Sequence, residues 1–316
     1  MEKTVQFEGI SVVVPVYNGR QSLERLVDGL EEVLSHCTDN FEIIMVNDGS
    51  KDNSWQIIEK LVEARKTVRG FNLMRNYGQH NALLAGIRLA RCPIIVTVDD
   101  DLQHPPQEIP KLLEKLDEGF DVVYGAPETA QHGLWRNLAS QITKMALSSV
   151  INVKIARKVS AFRAFRTSLR DAFADYRGAH PSIDVLLSWG TNRFSSVSVR
   201  HQSREKGRSN YTFAKLVTHA INMITGFSTL PLRVASILGF TFTIFGLFVL
   251  LFVLIRYLIW GSPVAGFPFL ASTIAIFSGV QLFAIGTIGE YLARMYIRLM
   301  DRPSYVIRER KEPGSP

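Results

Sequence analysis

The first 125 residues alternate continuous apolar runs with segments in which apolar residues recur every three or four positions. The continuous runs predict β-strands at Ile10–Val16, Phe41–Val46, Gly70–Met74, Ile94–Val98 and Asp121–Tyr124. The periodic segments predict α-helices at Ser22–Leu34, Ser54–Val62, Asn81–Ala90 and Glu108–Glu118. Buried strands that alternate with helices of about ten residues are typical of a mostly parallel α/β sheet covered on both faces.

Two longer runs near the C-terminus contain no charged residue, and they cover Val234–Ile255 and Phe267–Gly289. As helices with a rise of about 1.5 Å per residue, each is about 33 Å long, which is enough to cross a bilayer. A pair of buried core helices is the alternative, but uncharged runs of this length favour a transmembrane hairpin. Apart from Arg256, Lys and Arg are absent near the connector 261–266, whereas several arginines follow from Arg294 onward. The positive-inside rule therefore predicts a multi-pass protein with both termini in the cytoplasm.

The patterns divide the chain into a soluble α/β domain over 1–211, a juxtamembrane amphipathic helix over 212–230, two transmembrane helices over 231–292 and a cytoplasmic tail over 293–316. The apolar face of Trp135–Val150 fits a core helix or a helix in the membrane interface, and both interpretations stay open. The similar face of Thr212–Thr225 directly precedes a span, which favours the interface. We expect disorder from Lys311 to Pro316.

Composition narrows the class of partner. The net charge of +7 suits a protein that rests on anionic lipid. No basic helix or aromatic-rich sheet motif appears, so we expect no nucleic-acid binding. Cys37 and Cys92 have no metal-ligand spacing, and neither a disulfide nor a zinc site is predicted. The run Ile10–Val16 is too short for a signal peptide and lacks a cleavage pattern of small residues.

An acidic cluster follows the strand Ile94–Val98. Residues two apart on extended chain point the same way, so Asp99 and Asp101 can converge on one point. Two such carboxylates suit a hard divalent cation that also binds substrate phosphates. The alternative is an acidic turn that caps the helix beginning near Pro106.

Polar residues also follow the first three strands, in the segments Pro15–Asn18, Asn47–Asp52 and Arg75–Asn81. Each segment alone could be turn chemistry, because Asn, Asp, Gly and Ser are common in loops for conformational reasons. Together with the acidic cluster they form four polar loops on one edge of one sheet. Ligands of parallel sheets bind at this carboxyl edge, so the four loops predict a ligand site.

The order of these motifs resembles the family-2 glycosyltransferases, which carry Pro-x-Tyr-Asn, Asp-Gly-Ser, Arg-Asn-x-Gly and Asp-x-Asp in this sequence order. The segments Arg75–His80, Asp101–Pro106 and Arg204–Tyr211 are most similar to the polyprenyl-phosphate branch, and within it to undecaprenyl-phosphate 4-deoxy-4-formamido-arabinose transferases. The resemblance extends from about Ile10 to Arg302. It implies a GT-A nucleotide-sugar-binding domain, interfacial amphipathic helices and a C-terminal transmembrane hairpin.

The resemblance also implies roles for individual residues. The nucleotide would be bound by Pro15, Tyr17, Asn18, Asp48, Arg75 and Gly78. Mg²⁺ or Mn²⁺ would be held by Asp99, Asp101 and Gln103. The donor and acceptor phosphates would be bound by Arg163, Arg204, Ser209 and Tyr211, and catalysis would depend on Asp99, Asp101 and Arg204. For Arg163 a structural salt bridge is an equal alternative.

Two positions depart from the family pattern. Many relatives have an Asp shortly before the Phe-Arg pair, whereas Arg157–Ala161 contains no carboxylate. The Lys that usually precedes the Tyr of the Arg204 motif is Asn210 here. Either change could mean a different acceptor or sugar, or reduced activity.

The implied reaction is inverting transfer of a sugar from a nucleotide sugar, commonly a UDP-sugar, to undecaprenyl phosphate at the cytoplasmic face of a bacterial inner membrane. A processive polysaccharide synthase is one alternative, but such enzymes usually have more spans and a Gln-x-x-Arg-Trp signature. A membrane-tethered nucleotide-sugar sensor is another. Homo-oligomerisation through the membrane segments is a further expectation, because small residues permit close helix contact at Gly279, Ala284, Gly286 and Gly289.

Overall fold

The structure is a computed structural model that describes residues 7–127, 159–178, 181–201, 230–260 and 267–314. The chain divides into two compact units. The first comprises Met1–Val217 together with Asp301–Pro316, and the second comprises Thr218–Met300. The segment after the second apolar run therefore belongs to the same unit as the N-terminal domain.

The described part of the first unit contains one eight-stranded sheet with the strand order β7-β5-β6-β4-β1-β2-β3-β8. The strands are β1 (Ile10–Val16), β2 (Phe41–Asn47), β3 (Val68–Leu73), β4 (Ile94–Thr97), β5 (Val122–Pro127), β6 (Arg163–Arg166), β7 (Phe194–Val199) and β8 (Ile307–Lys311). Strands β1 to β4 are mutually parallel, whereas β6 and β8 run antiparallel to their neighbours. The predicted mostly parallel α/β sheet is confirmed.

Seven α-helices lie in the described residues, and we number them in chain order. They are α1 (Leu23–Cys37), α2 (Ser54–Ala64), α3 (Gln79–Leu89), α4 (Ile109–Asp117), α5 (Ile183–Gly190), α6 (Leu230–Trp260) and α7 (Phe267–Leu299). The spacing that predicted α1 is also the spacing of its buried face, which includes Leu23, Leu26, Val27, Leu30 and Leu34. Strand β3 starts two residues earlier than predicted because Val68 and Arg69 pair with Ile43 and Ile44 of β2.

Apolar side chains cover both faces of the sheet. On one face, Val12 and Val14 of β1 pack in a cluster that includes the buried residues of α1 and α4. On the other face, Val13 packs in a cluster that includes residues of α3 and α5. Because successive side chains of a strand point to opposite faces, a strand buried on both sides reads as an unbroken apolar run. This is why the sequence of β1 predicted a strand so directly.

The segment 301–312, which we call the C-terminal strap, corrects the expectation that the chain is disordered from Lys311 onward. Its strand β8 pairs antiparallel with the edge strand β3. Beyond the strand, the Glu312 carboxylate accepts from Arg69 Nη2 at 2.8 Å and from Arg91 Nη2 at 2.9 Å. The charged sequence of the strap is compatible with a strand because an edge strand keeps one face and one side in water, and charged side chains there discourage further pairing.

The described part of the second unit consists of α6 and α7. Their segments Val234–Arg256 and Ile276–Ala293 are long and apolar enough to cross a membrane. Apart from Ala235, none of their described residues is buried within the protein. The two helices pack where a Cβ at Gly246 would lie 2.5 Å from the Phe277 ring. By contrast, a Cβ added at Gly279, Gly286 or Gly289 would meet no atom of the described residues within 4 Å. The predicted role of these glycines in oligomerisation stays a prediction.

Candidate active site at the carboxyl edge of the sheet

The loops after β1 and β4 meet because these two strands are parallel neighbours. The backbone N–H of Tyr17 donates to Asp100 Oδ2 at 3.2 Å. At Gly19, an added Cβ would lie 2.3 Å from the same oxygen, so only glycine allows this approach. The structure therefore brings the Tyr17 loop and the acidic cluster together, as predicted from sequence.

The loops after β1 and β2 are joined through Asn18. Its backbone N–H donates to Ser50 Oγ at 3.0 Å, and its side-chain oxygen accepts from the backbone N–H of Lys51 at 2.8 Å. Asn18 has a φ of +56°, a left-handed conformation that Asn tolerates better than most residues. Neighbouring Tyr17 is 42% exposed and offers a ring for stacking, whereas Pro15 is buried within β1.

Asp48 connects the end of β2 to the loop after β3. Its side chain is buried, and its Oδ1 and Oδ2 accept from the backbone N–H groups of Tyr77 at 2.7 Å and Gly78 at 2.9 Å. Burial raises the pKa of Asp48 to about 6, although the two backbone N–H groups oppose the shift. Asp48 thus organises the segment 75–78, which we call the donor loop. Direct contact between Asp48 and a nucleoside stays a prediction.

The donor loop packs tightly against Gly49. This glycine has a φ of +64°, and an added Cβ would lie 2.6 Å from the backbone nitrogen of Asn76. The Arg75 guanidinium lies 4.5 Å from the centroid of the Tyr77 ring, and Arg75 is exposed. The loop therefore presents an exposed cation beside the carboxyl ends of β2 and β3, which suits an anionic ligand.

The acidic cluster accepts hydrogen bonds from helix α3 and from the backbone of its own loop. The Gln79 side chain, at the start of α3, donates from Nε2 to Asp99 Oδ1 at 2.7 Å. The backbone N–H of Gln103 donates to Asp101 Oδ1 at 3.1 Å, and Leu102 between them has a φ of +59°. Sequence analysis assigned no role to Gln79, although this residue lies inside the Arg75–His80 motif.

The oxygen ligands fit a divalent cation that is shared with a substrate. Asp99, Asp101 and Gln103 are all partly exposed at the sheet edge. Within the described residues no group of three or more His, Cys, Asp or Glu side chains could hold a metal ion. Two carboxylates without a complete protein cage are typical of Mg²⁺-like ions, which keep water and substrate phosphates as further ligands.

Two buried polar side chains that sequence reasoning missed, His104 and Glu108, follow the acidic cluster in the chain. The His104 ring stacks on Phe162 with centroids 5.2 Å apart, and burial together with nearby His201 lowers the pKa of His104 to about 4. Fully buried Glu108 accepts from Lys111 Nζ at 2.6 Å and from Arg200 Nε at 2.7 Å. Burial alone would raise the pKa of Glu108, but these hydrogen bonds outweigh it and the pKa is lowered.

Arg163 lies in β6 and is only 1% exposed. Its Nη1 forms an ion pair with Asp184, and its Nε donates to Thr97 Oγ1 at 3.2 Å. The Tyr124 hydroxyl donates to the same Asp184 at 3.1 Å. This placement corresponds to the structural salt bridge that the sequence left as an alternative, rather than to a guanidinium exposed for a phosphate.

Several predicted features lie outside the described residues. They include Arg204, Ser209 and Tyr211, and also the predicted helices Trp135–Val150 and Thr212–Thr225. Of the segment in which relatives carry an Asp, residues 159–161 are described, and they contain no carboxylate.

Comparison with known proteins decides the family. The sequence profile described as Glycosyl transferase family 2 matches residues 11–175, which is more than half of the chain. The chain belongs to glycosyltransferase family 2. Both the predicted resemblance and the predicted glycosyltransferase activity are thereby confirmed.

Curated relatives within this family match nearly the whole chain. The undecaprenyl-phosphate 4-deoxy-4-formamido-L-arabinose transferase of Pseudomonas savastanoi pv. phaseolicola is 36% identical over 304 residues, which cover 95% of this chain and 90% of the relative. The transferase of the same name from Pseudomonas syringae pv. syringae is 35% identical, with 97% and 92% covered.

The fold of this family-2 enzyme is also that of solved glycosyltransferases. Glucosyl-3-phosphoglycerate synthase from Mycobacterium tuberculosis, in complex with phosphoglyceric acid, matches with a TM-score of 0.52 over 69% of this chain and 78% of that chain. Its complex with Mn²⁺, UDP and glucosyl-3-phosphoglycerate matches with a TM-score of 0.52 over 69% of this chain and 77% of that chain. Both are 18% identical in sequence, so the likeness establishes the GT-A fold.

Proposed function

We propose that this family-2 enzyme transfers a sugar from a UDP-sugar to undecaprenyl phosphate, with inversion, at the cytoplasmic face of a bacterial inner membrane. One observation carries the choice of acceptor. The relatives named as undecaprenyl-phosphate transferases match 95% and 97% of this chain, and the matched length takes in the two apolar helices as well as the sheet domain. A lipid acceptor would explain why the molecule combines a sheet domain with two apolar helices.

The donor would lie along the carboxyl edge of the sheet. Tyr17 offers a ring for the base, and Arg75 offers a positive charge for the diphosphate. Asp99, Asp101 and Gln103 would hold Mg²⁺ or Mn²⁺, which supplies Lewis-acid neutralisation of the leaving diphosphate. The solved complex of the structural relative with Mn²⁺ and UDP supports this choice of cation and nucleotide.

The acceptor needs little help from a base. A phosphate monoester has its second pKa near about 6, so it is largely dianionic at neutral pH. One of its oxygens attacks the anomeric carbon, the bond from that carbon to the diphosphate breaks, and the nucleoside diphosphate leaves. The absence of a carboxylate from residues 159–161 is compatible with this chemistry. Arg204, Ser209 and Tyr211 would bind and orient the acceptor phosphate.

The C-terminal strap supports the predicted topology. Strand β8 follows both apolar helices and pairs with β3, which precedes them. Because β3 and β8 belong to one sheet, the chain has to return to the side of the membrane from which it departed. Two crossings satisfy this condition. By the positive-inside rule, the arginines Arg302, Arg308 and Arg310 of the strap favour the cytoplasm as that side.

The test uses the full-length protein in detergent with Mn²⁺, a short polyprenyl phosphate and a panel of sugar nucleotides. Mass spectrometry of the organic phase should find a lipid carrying one sugar. We expect Asp99→Ala to abolish this product, whereas Asp117→Ala, which changes an exposed carboxylate at the end of α4, should leave it intact. Unchanged product from Asp99→Ala would refute the metal assignment.

Two other results would favour the alternative functions. Products that carry many sugars would indicate a processive synthase. Donor binding by the unaltered protein, without transfer to any polyprenyl phosphate, would indicate a sensor.

A further inference from the structure

The Gln79 side chain links helix α3 to the acidic cluster. Its Nε2 donates to Asp99 Oδ1 at 2.7 Å, while the two residues are 20 positions apart in the chain. The family resemblance gave this residue no role. Because Asp99 is one of the two carboxylates at the proposed cation site, the contact bears directly on how that carboxylate is presented.

Hydrogen bonds hold the backbone on both sides of Gln79. Gly78, the residue before it, has a φ of +95° and donates its N–H to Asp48 Oδ2 at 2.9 Å. The helix then starts with the N–H of Asn81 donating to the Gly78 carbonyl at 2.9 Å. Since Asp48 is only 2% exposed, the first turn of α3 is anchored to the interior of the domain. The Gln79 amide therefore reaches Asp99 from an anchored position.

We propose that Gln79 is the positioning residue for Asp99 in cation binding, an inference that rests on the proposed function. The amide N–H binds Oδ1 and so limits the orientations in which the carboxylate would meet a cation. A neutral donor suits this task because it orients the carboxylate without cancelling its charge, as a Lys or Arg would. Partners of this kind typically contribute about 10-fold to 100-fold to metal affinity.

The same contact joins the donor loop to the cation site. Asp48 holds Tyr77 and Gly78, and Gln79 follows them directly in the chain. A shift of the donor loop would move the Gln79 backbone and change the orientation of Asp99. The donor loop and the cation site are thus held by the same hydrogen-bonded segment. Loss of the Gln79 amide should lower the affinity for the cation and leave the conformation of the donor loop unchanged.

The experiment compares Gln79→Met, which keeps side-chain length but removes the N–H donor, with Gln56→Met. Gln56 is an exposed glutamine in the first turn of α2 and provides a chemically identical change. Free Mn²⁺ is measured by electron paramagnetic resonance during titration of the full-length protein in detergent. UDP binding without metal is measured by calorimetry, and sugar transfer is measured across Mn²⁺ concentrations.

We expect Gln79→Met to raise the Kd for Mn²⁺ by about 10-fold to 100-fold. Saturating Mn²⁺ should restore kcat to near that of the unaltered enzyme, and UDP binding without metal should stay unchanged. Gln56→Met should behave like the unaltered enzyme in every measurement.

Two outcomes would overturn the inference and leave the proposed function in place. One is a Kd for Mn²⁺ that Gln79→Met does not change, although the unaltered enzyme binds Mn²⁺ and transfers sugar. The other is loss of metal-free UDP binding in Gln79→Met, which would make Gln79 a structural support of the loop. An unaltered enzyme that neither binds Mn²⁺ nor transfers sugar would refute the proposed function itself.

Discussion

Gly49→Ala tests how the donor loop is held. The added methyl group would lie 2.6 Å from the backbone nitrogen of Asn76 and 2.7 Å from the carbonyl carbon of Arg75. Both neighbours are backbone atoms, so the contact cannot be relieved by rotation of a side chain. Either the structure keeps the clash, or the donor loop moves away from β2.

The two possibilities give the expected losses of stability and of donor affinity. A left-handed alanine costs about 1–2 kcal/mol, and overpacking of this kind costs about 1–3 kcal/mol. Moving Asn76 from 2.6 Å to an ordinary contact of 3.4 Å is a shift of about 0.8 Å. A shift of that size would stretch the 2.7 Å bond between Tyr77 and Asp48 to about 3.5 Å, where little of it remains. Misplacement by about 1 Å can cost about 100-fold in activity, so we expect the donor KM to rise at least tenfold.

The assay measures the donor KM and the Kd for UDP, with Gly119→Ala as the matched control. Gly119 also has a positive φ, of +100°, but it lies near the amino end of β5, and its Cβ would meet only the tip of the Arg193 side chain. Both variants should lose stability, yet only Gly49→Ala should lose donor affinity. An unchanged Kd for UDP in Gly49→Ala would show that the donor loop does not depend on its packing against β2.

Two further predictions concern buried charges. Arg163→Met should lower the free energy of unfolding by about 3–5 kcal/mol because it leaves the buried Asp184 carboxylate without a counter-charge, and adding Asp184→Asn should recover most of the loss in chemical denaturation. If the double variant folds but stays inactive, Arg163 has a role in activity beyond its ion pair with Asp184. For Asp48, the raised pKa of about 6 means that its contribution favours the folded state below about pH 4 and is lost as the pH rises through 6. Asp48→Asn should remove this part of the pH profile of stability, and an unaltered profile would contradict the assignment.

The sequence predicted the buried centre of the sheet better than its periphery. Strands β1, β2 and β4 are buried on both faces, so each reads as an unbroken apolar run. Strand β6 has only four residues, two of them Arg, and β8 is an edge strand with alternating charge. Neither has a hydrophobic pattern that a local reading of the sequence can detect.

In the candidate site, too, the sequence predicted some features and not others. Loops that follow parallel strands must meet at one edge, so the sequence could predict that Tyr17, Asp48 and Asp99 lie together. The partners that hold these groups are set by tertiary packing and by distant parts of the chain. Arg200, for example, donates to Glu108 although the two residues are 92 positions apart, and no local sequence pattern predicts such a pair.

The pairing of β8 with β3 has a consequence for how the protein is made. Arg69 in β3 and Glu312 beyond β8 are 243 residues apart, and both apolar helices are synthesised between them. At about 5–20 residues per second, the ribosome needs about 10–50 s to cover this interval. Throughout that time the nascent domain carries an open sheet edge, which is a template for wrong pairing with other chains. Under the proposed membrane arrangement, completion of the domain is therefore tied to delivery of the helices to the bilayer. A chain stalled at that step would expose the unpaired edge of β3.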